Sequence, residues 1–158
     1  MLIVQRLYVP VFVAIALAAG CATTEVGASP AACPVCGKPV ADGPEVRVLV
    51  AGHSGPGTRY RCFMCPLMEG KSGETWTMRA VSGVDGKWVT FRVDHGRVDA
   101  DPPSAVVLAQ KVQPGDECLD VHRVFVDETE FSRYVAAHPD LKEVRPRKFE
   151  DVLRDPAK

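Results

Sequence analysis

The 158-residue chain has no long run of basic residues and no extended interleaving of aromatic with basic side chains. The usual electrostatic footprint of nucleic-acid binding is therefore missing. Three common catalytic patterns are missing as well: Gly-x-Ser-x-Gly, His-Glu-x-x-His and a phosphate-cradling glycine loop. A cysteine nucleophile needs a base within reach, and no linear pattern nominates one. These absences favour a binding protein over an enzyme. Internal repeats are absent too, and low complexity is confined to one short tether near the start.

That start is the first feature present. A single cation, Arg6, precedes an uncharged apolar run from Leu7 to Ala19. The run is short for a bilayer-spanning helix and suits the apolar part of a signal peptide. It closes on Leu17-Ala18-Ala19-Gly20-Cys21, which resembles a bacterial lipobox. The resemblance implies cleavage before Cys21, a lipid on that cysteine, and membrane attachment through the lipid. Ala22 in place of Asp implies the outer membrane, facing the periplasm. Residues 1–20 are then the leader and 21–32 a small, polar, flexible tether. Residues 33–158 are long enough for one domain with its own core. From Cys21 onward the chain holds 18 basic and 20 acidic side chains, a formal charge of −2.

Strand patterns dominate the domain. Glu45–Ala51 alternates and is β-branched, and Thr58–Cys62 follows it after a Gly/Pro-rich turn, so the two predict a ribbon. Glu74–Val81 and Lys87–Val93 flank Asp85-Gly86, a strong hairpin signal because glycine accepts the positive φ of a tight turn. Trp76, Met78 and Ala80 share one face, and both Trp76 and Trp88 suit a sheet face better than a ligand site. Ser104–Val112 and Asp120–Val126 predict two further strands. Asp127 can cap a helix, with Glu130 completing a capping-box pattern; Phe131, Tyr134, Val135 and His138 follow at helical spacing until Pro139. A second short helix fits residues 147–155. The fold class is α+β with an antiparallel sheet.

The chemistry concentrates in cysteine. After Cys21 come Cys33, Cys36, Cys62, Cys65 and Cys118. In "CPVCGK", Gly37 permits a tight turn whose N–H groups can face both sulfurs, which favours thiolate and metal binding. In "CFMCP", Pro66 suits the first position of a helix, which puts Cys65 at or near the helix N-terminus. A knuckle, a ribbon and a helix in that order describe a treble-clef or zinc-ribbon-like element, with four sulfurs around one ion. Twenty-five residues separate Cys36 from Cys62, more than the commonest four-cysteine spacing, and the ribbon accounts for the excess. Two readings compete with a metal site. Outside the cytosol the pairs could form disulfides that staple the ribbon while another surface binds a partner. They could also exchange disulfides, though no βαβ unit surrounds either pair.

Soft ligands suit Cu(I), and a tetrahedral sulfur set suits Zn(II). Met64 and Met68 are candidate thioether ligands, or packing under the short helix. Cys118 and His122, three residues apart, are a candidate additional site; read plainly, they are a spare thiol and a strand histidine. His53 and His95 lie in turns and read as solvated.

"CPVCGKPV" followed by "RYRCFMC" resembles the YHS/TRASH-type treble-clef metal-binding modules. The lipobox, the early Cys-x-x-Cys-Gly and the late "VFVDETEFSRYVAAHP" resemble the NosL group, copper-binding lipoproteins that help supply nitrous-oxide reductase. Lys38 stands where those families commonly have Met. The resemblance implies an envelope lipoprotein in metal trafficking or storage, with Cys33, Cys36, Cys62 and Cys65 as ligands and a protein donor or acceptor of the metal as partner.

Overall fold

In the computed structural model, residues 32–40, 46–50, 57–69, 75–112, 118–141 and 143–155 are described. The leader, Cys21, the tether up to residue 31 and His53 lie outside them. Alternating, β-branched segments form an antiparallel five-stranded sheet in the spatial order β2-β1-β3-β4-β5, from β1 (Val46–Val50), β2 (Thr58–Tyr60), β3 (Trp76–Val81), β4 (Trp88–Asp94) and β5 (Arg97–Asp101). The expected ribbon is the β1–β2 pair, in register Val46 to Tyr60. The Asp85-Gly86 hairpin joins β3 to β4, with Gly86 at φ +65°. Trp76, Met78 and Ala80 turn one face of β3 inward, as Val89, Phe91 and Val93 do on β4. Trp88 points outward, with the Arg79 guanidinium 4.7 Å from its ring centre.

Two features depart from the expected single sheet. The fifth strand, β5, follows a turn in which His95 (φ 46°) and Gly96 (φ 84°) both take positive φ. Its sequence, Arg-Val-Asp-Ala-Asp, is too polar to resemble a strand, and it survives as an edge. The later strands, β6 (Val106–Ala109) and β7 (His122–Phe125), form a separate two-stranded ribbon. The ribbon is buried on both faces. Val107, Ala109 and Val124 join the core under the large sheet, whereas Val106, Leu108 and Phe125 face a second core with Phe131, Tyr134 and Leu141. Strand periodicity places His122 on the Val124 face, toward the large sheet.

Short helices fill the connections: α1 (Met64–Met68), α2 (Cys118–Val121), α3 (Glu128–Ala137) and α4 (Phe149–Arg154). The Asp127 side chain caps α3 by accepting from Glu130 N at 2.8 Å. The reciprocal half of the expected capping box is redirected. The Glu130 carboxylate accepts from Val126 N (2.7 Å), Val84 N (2.9 Å) and Asp85 N (2.7 Å), pinning α3 to the β3–β4 hairpin. From α4, Phe149 stacks on Phe91 at 4.4 Å and meets Phe63 and Trp76 edge-on, closing the main core.

Glu130 is 0% exposed, so Glu130→Ala leaves three inward N–H groups unpaired and should cost about 3 kcal/mol or more. Glu130→Gln should not restore stability, because its amide N–H₂ must face one of those donors. Urea denaturation followed by tryptophan fluorescence measures both; a loss below about 1 kcal/mol in the alanine variant would refute this role.

Candidate metal centre

The first cysteine pair sits in a knuckle. Gly37 N donates to Cys33 O at 2.8 Å and Cys33 N to Lys38 O at 2.9 Å, while Gly37 holds φ +69°. L side chains adopt that φ only rarely. The Lys38 backbone also hydrogen-bonds the Cys36 sulfur, as the Cys-x-x-Cys-Gly pattern leads one to expect. Cys33 is buried and Cys36 exposed.

The second pair follows β2 and enters α1. The Tyr60 hydroxyl donates to Glu69 Oε2 at 2.6 Å, clamping the segment that carries Cys62 and Cys65 at both ends. Both cysteines are buried, and Pro66 lies within α1 rather than opening it.

Three sulfurs meet. The Sγ atoms of Cys33, Cys36 and Cys65 all lie within 4.8 Å of one another, a mutual closeness that no other trio of such donors reaches among the described residues. A tetrahedral ion with metal–sulfur bonds of about 2.3 Å sets its sulfurs about 3.8 Å apart, so a small contraction would close the trio around a cation. Cys62 stands aside. Its Sγ is 3.5 Å from Cys65 Sγ and 3.6 Å from His122 Nδ1, and it hydrogen-bonds Cys118. The sequence-based convergence of four sulfurs is therefore three sulfurs with Cys62 alongside, because Cys62 turns toward the β6–β7 ribbon.

The remaining candidates separate clearly. Met64 is 7% exposed and part of the main core, whereas Met68 is 73% exposed. His95 is exposed beside Asp94. Cys118 and His122 both reach Cys62, although each lies in a different element. Arg61, which sequence reasoning passed over, is buried; it donates to Pro39 O at 2.7 Å and hydrogen-bonds the Cys118 sulfur. A charged residue directly before a cysteine in an otherwise buried segment was the available signal.

Protons are unevenly shared among these sulfurs. Hydrogen bonds from Cys62, and further ones from Cys33 and Cys36, outweigh burial and lower the Cys65 thiol to about 6. Cys118 falls to about 6 through Cys62 and then Arg61. Cys62 is pushed far up, first by its bonds to Cys118 and Cys65 and then by burial, so it keeps its proton. Cys36 rises to about 11, chiefly by desolvation beside its neighbours. Burial lowers the His122 pKa, keeping the ring neutral.

No known family model matches the sequence, and no curated protein does. The fold is similar to that of the crystal structure of the mercury-bound form of MerB2, with a TM-score of 0.55 and 17% identity. The match covers 69% of this chain and 54% of that one, so the chain spans about half the length of that protein. The likeness concerns the fold.

Thiolate, which forms above the pKa, is the species that alkylates. In reduced, metal-free protein, iodoacetamide should modify the partly buried Cys118 with a pH midpoint of about 6. Cys36, though exposed, should react slowly at neutral pH and speed up toward 11. Peptide mass spectrometry across pH reads both, and Arg61→Gln should move the Cys118 midpoint upward. Faster modification of Cys36 than of Cys118 at pH 7 would contradict this proton distribution.

Proposed function

We propose that the protein binds one soft transition-metal ion, Cu(I) or Zn(II), through Cys33, Cys36 and Cys65, in metal trafficking or storage. The carrying observation is the mutual approach of those three sulfurs. Thiolates are soft donors, and a buried set with one exposed member suits a cargo that must enter and leave. The knuckle, the β1–β2 ribbon and α1 supply a treble-clef-like frame for it. The resemblance to YHS/TRASH modules and the NosL group favours copper as cargo. The structural neighbour, MerB2, is known in a mercury-bound form, and mercury is likewise a soft cation.

On this reading the chain is an exported lipoprotein, held to the outer membrane by a lipid on Cys21 and facing the periplasm. It receives its ion from, or passes it to, another protein, and it catalyses no reaction of its own. A bound ion would also protect the cysteine pairs from oxidation in that compartment.

Reduced protein should take up Cu(I) in competition with a chromophoric chelator. Cys33→Ser, Cys36→Ser and Cys65→Ser should each weaken uptake by more than the roughly 10–100-fold that loss of a supporting group costs. Protein purified from the periplasm with disulfides across these cysteines and no bound metal would defeat the proposal in favour of a stapled ribbon. Radiolabelled palmitate should label the chain in a bacterial host and fail to label Cys21→Ala; equal labelling would remove the lipoprotein assignment.

A further inference from the structure

Three donors of metal-ligating type surround the buried Cys62 sulfur. It lies 3.5 Å from the Cys65 sulfur and 3.6 Å from His122 Nδ1, and it hydrogen-bonds the Cys118 sulfur. The imidazole is held in one tautomer. His122 Nε2 lies 2.9 Å from the Gln110 carbonyl oxygen, which can only accept, so Nε2 carries the ring proton. In a neutral ring Nδ1 is then a bare lone pair aimed at Cys62. The Cys118 sulfur hydrogen-bonds both Cys62 and Arg61. Cys62 and His122 are buried, and Cys118 is half-buried at the edge of the group.

A cation could take lone pairs from Cys62, Cys118 and His122 together. An imidazole that donates one nitrogen to a backbone carbonyl and presents the other to a thiol has the arrangement of a metal-ligating histidine, its tautomer and plane fixed in advance. The separation fits as well: sulfur and imidazole nitrogen on one tetrahedral ion stand about 3.5 Å apart. We propose that Cys62, Cys118 and His122 hold a second soft or borderline cation, in an inner site that touches the outer one at Cys65. These donors surround Cys62 without the mutual closeness of the outer trio. Filling the site therefore draws Cys118, on the four-residue α2, and His122, at the start of β7, together around the ion. The buried Arg61 offsets the negative charge that two thiolates bring. The inner site stands independently of the function proposed above, with different ligands and a nitrogen donor that the outer set lacks.

Cadmium alone is a suitable probe, because its ¹¹³Cd resonance reports the donor set. The full chain carrying Cys21→Ser, reduced, should bind two equivalents and give two resonances. Cys118→Ser and His122→Gln should each abolish one resonance and keep the other, and Cys36→Ser should do the reverse. Loading should also shift the ring ¹⁵N signal of His122 in protein that retains Cys118 and His122, a readout that needs no variant at the inner site to fold. Two equivalents retained in both inner-site variants, or a His122 ring signal unmoved at saturation, overturns the inner site. A single equivalent lost with Cys36→Ser and kept with Cys118→Ser removes the inner site alone. The opposite pattern removes the outer reading and leaves the inner one standing.

Discussion

Cys62 and His122 lie sixty positions apart in sequence and 3.6 Å apart in space, and nearly everything else about the cysteine cluster depends on that meeting. It requires β7 to present its His122-Val124 face to the large sheet. That in turn requires the β6–β7 ribbon to be buried on both sides. α3 covers the far side with Phe131 and Tyr134, and the Glu130 carboxylate ties α3 to the hairpin of the large sheet. The thiol chemistry thus rests on a layered packing built mainly from valine and phenylalanine, with one buried carboxylate fixing its alignment.

That packing sets the electrostatics. Sulfurs brought together away from water cannot all ionise, since like charges at such distances in a poorly polarisable surrounding repel strongly. The cluster divides the load: Cys65 and Cys118 give up protons readily, Cys62 retains its own, and Cys36 at the surface resists ionising. A cation reverses the balance, turning mutual repulsion into shared attraction.

Much of the frame was legible in the residues. Asp85-Gly86 marked its hairpin, alternation marked β1, β3 and β4, and Asp127 marked the start of α3, because each signal is local. The knuckle was legible for the same reason. The edge strand β5 was hidden because Arg97, Asp99 and Asp101 face solvent and leave no apolar alternation. The separate ribbon was hidden because the run Val106–Ala109 shows burial without showing which layer receives each face. Within the cluster, Cys33, Cys36 and Cys65 followed from spacing. The turning of Cys62 toward Cys118 and His122 did not, since it depends on where the ribbon docks. Arg61 was missed because a single arginine ordinarily belongs to the surface.

Phe63, lodged between the two cysteines of the second pair, touches His122 on one side and Phe149 on the other. Phe149 is made 86 residues after Phe63. The aromatic wall behind the thiols is therefore completed only after every cysteine of the cluster has been made. A nascent chain passes through a long interval in which its cysteines exist without the surroundings that assign their protons. In that interval the knuckle is the part of the cluster whose backbone hydrogen bonds are already all within reach.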